Sequence, residues 1–504
     1  MIKHFFKKLG FSSAPFAGGI QPDMQKWTES SAIEICPLPP LLIVPMKQHI
    51  GQACSPLVKV GDAVLRGQKI AKAEGYVSVP VHAPTSGKVI KIEEHAIPHP
   101  SGMGLPSIFI EPDGLDERDT SLQPITDWQN MDVGALRERV RVCGIAGLGG
   151  AAFPTFIKLV QDQRNPIKTV ILNGIECEPF LTNDHRLMVE HSQKILHGMQ
   201  IIMHMVGAKQ GIIAIEDNKA DAIQSMQHAV DDANIEGLDI QVRVLPTRYP
   251  QGSEKQLIEV IIGKQVPAGK LPMHVGVICQ NIGTTQAIYE AVVLGYPLTE
   301  RVMTVSGDAV PNKGNLLVRL GTSMRFIYAQ RGLENFEGLQ ILHGGPMMGE
   351  RLRHPDIPVI KSSTGLLALS QDFFKQAHAV EEPCIRCGHC SEACPIGLTP
   401  NLLADHCRNE QLEKAADYHL FDCIECGACS YVCPSHIPLV HYFRFGKGQA
   451  AQVRREQNFA EASRQRSESR DTRIQREKDE KAAKRKKVRA THAPTPTEAE
   501  QGKE

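Results

Sequence analysis

No stretch of this chain approaches the roughly 20 uninterrupted apolar residues that a membrane-spanning helix needs. The opening MIKHFFKKLGF is basic and aromatic but has no apolar core and no small-residue cleavage site, so it does not read as a secretory signal. The expectation is a chain that stays in the cytoplasm, where thiols remain reduced. Net charge is lacking too: 56 Lys and Arg balance 56 Asp and Glu, so overall charge selects no class of partner. No aromatic side chain stands among the basic residues from Arg464 to Arg489. That removes the stacking platform of a single-stranded nucleic-acid site, and no nucleic-acid role is expected.

Cysteine, by contrast, is plentiful. With thiols reduced, the 14 cysteines read as metal ligands or small buried apolar side chains rather than disulfides. Cys36, Cys54, Cys143, Cys177, Cys279 and Cys407 are scattered and read as buried side chains. The other eight form two matching runs. Cys384, Cys387, Cys390 and Cys394-Pro395 make the first, and Cys423, Cys426, Cys429 and Cys433-Pro434 the second. Each is C-x2-C-x2-C-x3-C-P, the spacing of bacterial two-cluster ferredoxins. Three thiolates of a tight loop reach three irons of one cubane, and the fourth, beside proline at the start of a helix, ligates the other cluster. Cys384, Cys387, Cys390 and Cys433 are therefore assigned to one 4Fe–4S cluster, and Cys423, Cys426, Cys429 and Cys394 to a second. Gly388 and Gly427 let the backbone wrap each cubane. Zinc ribbons pair two C-x2-C knuckles across a longer gap and do not repeat a four-cysteine run ending in Cys-Pro.

A chain of 504 residues is too long for one core, and the composition divides it. The reading is multidomain α/β and β. Residues 1–30 form an N-terminal segment. Residues 31–120 show short alternating strands between Gly-Asp and Ser-Gly turns, the pattern of a small barrel or sandwich. Residues 125–265 alternate strand and helix patterns, with strands at 169–172, 212–215 and 240–245 and a helix at 195–206, which predicts an α/β domain with a largely parallel sheet. Residues 266–365 return to short strands, and 370–445 carry the cysteines. From 446 to 504 the chain is charged and poor in apolar residues, with 14 Lys or Arg against 7 Asp or Glu between Ala451 and Ala490. A frayed, solvated helix followed by disorder is expected there.

Clusters need an electron source. Gly144, Gly147, Gly149 and Gly150 precede Phe153-Pro154-Thr155 and a predicted helix, a loop able to turn backbone N–H groups to a phosphate or simply to make a tight turn. The buried strand from Thr169 runs into Asn173, Glu176 and Glu178. Ligands of open α/β sheets bind at such carboxyl ends, so these residues suit ribose or flavin, or form a polar surface loop.

Together, G-x-G-G-x-x-F-P-T and the following N-x-x-E-x-E-P resemble the flavin-bearing subunit of respiratory NADH dehydrogenase. The resemblance implies a Rossmann-like flavin domain, with an FMN phosphate near Gly147, Gly149, Gly150 and Lys158. It implies ring contacts from Asn173, Glu176 and Glu178. Tyr249, Gly252 and Glu254 match a later Y-x-x-G-x-E element, and Asn281 and Thr284 a further flavin-contacting stretch. This chain lacks the aromatic-rich second half of that family's glycine loop.

Residues 57–92 resemble a biotinyl or lipoyl carrier, K-x-G-D-x-V-x-x-G-Q followed by A-P-x-x-G-K-V. The hairpin position that should bear the modified lysine falls near Val77, so this barrel-sandwich domain is expected to be a structural or docking module. Residues 266–365 are similar to the β-grasp region of the same relatives, with the turn from His343 to Gly349 read as structural.

A lipoyl-like barrel-sandwich, a flavin α/β domain, a β-grasp domain and a bacterial-ferredoxin-like two-cluster helical domain, then a charged tail, occur in this order in one family. The chain resembles the RnfC/RsxC family of Rnf-type (Rsx) ion-translocating electron-transport complexes. The resemblance covers roughly residues 10–445. It implies a peripheral subunit on the cytoplasmic face of the bacterial inner membrane. In that role NADH reduces non-covalent FMN, and two 4Fe–4S clusters pass electrons to integral membrane and iron–sulfur or flavin partner subunits. A flavin accepts a pair of electrons and releases them singly, as the clusters require. Docking is expected from the basic stretch at 454–489 or from Lys3, Lys7 and Lys8. Two rival readings are a non-catalytic two-cluster relay and a soluble hydrogenase- or formate-type diaphorase subunit. Bound FMN distinguishes the first, and co-purifying membrane proteins the second.

Overall fold

The computed structural model describes residues 16–99, 101–161, 164–233, 237–373 and 380–491. Lys3, Lys7, Lys8 and the low-complexity end lie outside them. The chain divides into two compact units. One comprises the chain up to Leu402 with Asp422–Val440, the other Leu403–Phe421 and the chain from His441.

In the first unit, four parallel strands stand in the order Asp239–Leu245, Gln210–Glu216, Thr169–Gly174, Val277–Asn281. The run Thr169-Val-Ile-Leu172 is buried throughout, as a strand covered on both faces must be. The helix Ser192–Val206 buries Ile195, Leu196, Met199, Ile202, Met203 and Val206, one stripe at three- and four-residue spacing, and ends at Gly207 with φ 73°. The strand Val277–Asn281 and the helix Ile282–Tyr289 carry this unit past residue 265, where the α/β pattern is expected to stop. The reason is local: a five-residue strand after a Pro- and Gly-containing stretch reads as loop. The chain builds outward from Thr169–Gly174 to one side and then returns to place Val277–Asn281 on the other. Between those two strands lies the switch point at which open α/β sheets bind ligands.

A six-stranded sheet follows the order Ile33–Ile35, Gly314–Arg319, Glu300–Ser306, Gly365–Leu369, Gln340–His343, Glu350–Leu352. Two antiparallel pairs meet at the parallel pair Glu300–Ser306 and Gly365–Leu369, with the helix Met324–Gln330 between them in sequence. This is the expected β-grasp arrangement. Ile33–Ile35 pairs with Gly314–Arg319, so residues near 31 belong to this sheet and not to the barrel.

The barrel-sandwich itself pairs Leu42–Pro45, Gly104–Pro112, Gly87–Ala96 and Ala63–Val64 in one sheet. A smaller sheet holds Ser55–Pro56, Lys69–Lys72 and Val81–His82. Leu42, Val44, Ile70, Val81, Val89, Ile108 and Ile110 fill its core. Val79, at the end of the hairpin that bears the lysine in true carriers, is buried in the core cluster shared with the α/β sheet.

In the second unit, Cys407 is buried, and a Cβ on Gly446 would lie 2.5 Å from its sulfur. This cysteine is packing, as its distance from either run suggests. The charged tail, expected to begin as a frayed, solvated helix, is helical over Leu439–Thr491, continuous as far as the described residues run. It is too polar for burial to hold it. Local pairs do so, Arg464–Glu468, Arg473–Glu477 and Arg476–Glu480 among them. Among the described residues no helix is long and apolar enough to cross a membrane.

Candidate functional site

The glycine-rich loop sits over the switch point of the parallel sheet. Gly147 N–H donates to Phe153 O at 2.8 Å, closing the loop on itself. Leu148 N–H donates to Thr284 Oγ1 at 2.8 Å, and Thr284 N–H donates to Asn281 Oδ1 at 3.1 Å. Asn281 ends its strand directly opposite Asn173 in register. A Cβ on Gly149 would stand 3.2 Å from the Asn281 side chain, so a larger residue would press on Asn281. Gly150, with φ 112°, stands exposed with open space where a Cβ would be. The helix predicted after the loop is a single turn, Thr155–Lys158, stopped by Leu159 and the approaching Pro166. It is too short to act as a dipole. Lys158 Nζ donates to Glu254 Oε1 at 2.7 Å and to Cys279 O at 3.3 Å. Glycine crest, Lys158, Glu254, Asn281, Thr284 and Asn173 thus gather at one sheet end. The exposed crest at Gly149 and Gly150, with open space beside Gly150, and the half-buried Lys158 are the features here that suit a phosphorylated flavin.

Glu176 and Glu178 are held differently. The Glu176 carboxylate accepts from the backbone N–H of Asp184 at 2.7 Å and His185 at 3.1 Å, at the start of the helix Asn183–Glu190. Glu178 Oε1 accepts from Met347 N–H at 2.7 Å and Met348 N–H at 2.9 Å. A Cβ on Gly345 would fall 1.9 Å from Glu178 Cγ, so the turn from His343 to Gly349 is moulded around this acid. Burial pushes the Glu178 carboxyl up against the opposing pull of those amides. Asn173 Nδ2 donates to Gly252 O at 2.7 Å. The two acids therefore anchor neighbouring backbone.

Several buried charges escape a reading of the sequence. Lys26 Nζ donates to the carbonyls of Glu176, Glu178 and Leu181 at 2.8, 2.9 and 2.6 Å. Asp184 Oδ2 accepts from Asn281 Nδ2 at 2.6 Å, and burial followed by the charge of Glu176 pushes its carboxyl up to about 7. Arg301 and Lys361, both fully buried, lie under the glycine loop. The available signal is a charge at the edge of an apolar stretch, as in Arg301-Val-Met or Pro-Val-Ile-Lys361.

The two cysteine runs adopt one backbone. Arg386 and Glu425 both have φ 57°, and Gly388 and Gly427 have φ 86° and 78°. Each glycine opens a one-turn helix, His389–Glu392 and Ala428–Tyr431, and the two turns pack together. Cys394 and Cys433 come after these turns, not at the start of a helix, because the proline that follows each cannot continue one. Each run's fourth thiol lies with the other run. Burial raises the Cys390 thiol, and Cys433 adds to that through space. Cys426 and Cys429 are raised likewise, with Cys394 among the sulfurs acting on each. Leu398 N–H donates to Cys394 Sγ at 3.4 Å and Glu425 N–H to Cys423 Sγ at 3.4 Å. Among the described residues no three His, Cys, Asp or Glu side chains close on a single ion.

The runs differ in burial. Cys426 and Cys429 are buried, whereas Cys384 and Cys387 are exposed. Ile424 packs into a core with Tyr249, while its twin Ile385 is 68% exposed. Tyr249 OH donates to Cys426 O at 2.7 Å and also neighbours Glu178. Met347, held by Glu178, has its carbonyl 2.9 Å from where a Gly427 Cβ would be. The second run thus abuts the α/β domain directly.

Three family models match: the RnfC barrel sandwich hybrid domain over residues 14–115, the Nuo51 FMN-binding domain over 140–290, and a 4Fe–4S dicluster domain over 381–437. The chain is 44% identical over 464 residues to the C component of the ion-translocating oxidoreductase complex of Pectobacterium carotovorum subsp. carotovorum strain PC1, covering 92% of this chain and 61% of that protein. It is 42% identical to the same-named protein of Haemophilus influenzae strain PittEE, covering 92% and 70%. Against that of Yersinia pestis bv. Antiqua strain Antiqua it is 42% identical, covering 95% and 76%. A solved NAD+-reducing NiFe hydrogenase in the air-oxidised state is similar at a TM-score of 0.48 and 17% identity, over 62% of this chain and 63% of that one. By its relatives and its three matched domains, the chain belongs to the RnfC family, the C components of ion-translocating oxidoreductase complexes.

Proposed function

We propose that this chain is the electron-entry component of its complex: it oxidises NADH at an FMN held over the parallel sheet and passes electrons through two 4Fe–4S clusters to partner subunits. Gly147, Gly149, Gly150 and Lys158 would hold the FMN phosphate. Asn173, Glu254, Asn281 and Thr284 would line the flavin, with Glu176 and Glu178 fixing the segments around it. When bound, FMN takes a hydride from NADH and releases its two electrons one at a time, as a 4Fe–4S cluster requires. The observation that carries this reading is the direct abutment of the cysteines on the α/β domain, Tyr249 bonding Cys426 O beside Glu178. The cluster of Cys426 and Cys429, which are buried, would lie next to that domain, and that of Cys384 and Cys387, which are exposed, would meet a partner.

The partners are proposed to be integral membrane and iron–sulfur or flavin subunits, and the place the cytoplasmic face of the inner membrane. The absence of a spanning helix among the described residues fits a peripheral subunit. Composition analysis of the purified, reconstituted chain tests the proposal. About eight irons and about one FMN per chain are expected. A full iron complement with no affinity for FMN would reduce the chain to a relay.

A further inference from the structure

Lys361 is fully buried, and its ammonium has two carbonyl acceptors: Gly144 O at 2.7 Å and Pro80 O at 3.1 Å. Gly144 begins the glycine-rich loop, and Pro80 follows the barrel hairpin that bears a modified lysine in true carriers. Arg301, also buried, donates through Nη1 to Lys361 O and through Nη2 to Leu148 O at 3.1 Å. Lys361, in the turn before the strand Gly365–Leu369, and Arg301, on the strand Glu300–Ser306, therefore grip the glycine loop at positions 144 and 148. No carboxylate pairs with Lys361 among the described residues. The titratable groups facing it are Cys54, His49 and His82, all from the barrel, while Arg301 faces Asp184 and His343. The space is tight: a Cβ on Gly144 would lie 3.0 Å from Lys361 Nζ and 3.1 Å from His82 Nδ1. A buried ammonium without a counter-ion is costly, and an anion arriving on the other side of the loop would offset that cost.

We propose that Lys361, backed by Arg301, is a positioning residue for the phosphate end of the flavin: it sets the loop's shape and supplies the positive potential through which FMN is preferred over riboflavin. This rests on the FMN reading above. The barrel hairpin then serves as a fixed strut for the loop, not as a swinging arm.

Calorimetric titration of the flavin-free, cluster-containing chain with FMN and with riboflavin tests this. Lys361→Met is expected to weaken FMN about tenfold, the equivalent of one pKa unit of lysine–phosphate coupling, and to leave riboflavin unchanged. Lys361→Arg is expected to keep most of the FMN preference. Equal weakening of both ligands, or no weakening of either, overturns the proposal. Should Lys361→Met fail to fold, the wild-type chain decides. Burial lowers Lys361 to about 8, while Cys54, His49 and His82 stay neutral above pH 7. The FMN-to-riboflavin preference is expected to fall as pH rises from 7 to about 9, and a flat preference overturns the proposal. A wild-type chain that binds neither flavin removes the FMN reading itself. Binding of FMN with no lysine or pH effect removes this inference alone.

Discussion

At the scale of single residues, the sulfur assignments are the sharpest claim. If each fourth cysteine serves the other run's cluster, pairs of substitutions are not interchangeable. Cys390→Ala with Cys433→Ala strikes one cluster and should leave about four irons per chain, whereas Cys390→Ala with Cys394→Ala strikes both and should leave almost none. Iron analysis reversing that order would mean that each run binds its own cluster. Glu178 makes a second claim at this scale. Glu178→Ala leaves the Met347 and Met348 N–H groups without their acceptor, and should cost about 1–3 kcal/mol. A thermal midpoint equal to wild type would show that the turn does not depend on it. The cysteine ligands are legible because their spacing is local and the chemistry allows few alternatives. Lys361 and Arg301 are not, because their meaning lies in carbonyls more than 150 positions away in the chain.

At the scale of elements, the parallel sheet is readable from its buried apolar runs. Its fourth strand is hidden in a Pro- and Gly-containing stretch, and the strand order that makes the switch point appears only in three dimensions. Asn173 and Asn281 show the difference: resemblance singles out both, but only register sets them side by side. The helix Leu439–Thr491 is legible in type but not in length: its low apolar content marks a solvated helix, and local charge pairs extend it to the end of the described residues. Each pair is worth roughly 0.3 kcal/mol and has Arg preceding Glu, the weaker orientation. Far-UV circular dichroism should therefore show an early, salt-sensitive loss of helix before the cluster absorbance is lost. One salt-independent transition for both signals would mean that something other than local pairing holds this helix.

Across the whole molecule, buried histidines set the response to acid. Burial holds His82 down to about 3 and His343 to about 4, against an ordinary value of 6.5. Their stabilising contribution is complete above pH 6.5. It is lost as pH falls toward those values, because the unfolded chain takes up protons the native state refuses. The unfolding midpoint should drop between pH 6.5 and about 4, and His343→Asn should make that drop shallower; an unchanged slope would remove His343 from the account. At this scale the order of domains is legible from composition. The joining of barrel, α/β sheet and β-grasp sheet through one buried ammonium is not.

In the proposed path, one chain carries electrons from NADH through a flavin to its clusters. An anaerobic NADH titration of the purified chain with both clusters and FMN in place, read by visible absorbance and low-temperature EPR, tests it most directly. Bleaching of the flavin band together with the appearance of reduced-cluster signals is expected. Clusters that dithionite reduces but NADH leaves untouched, with the flavin band unchanged, would contradict it.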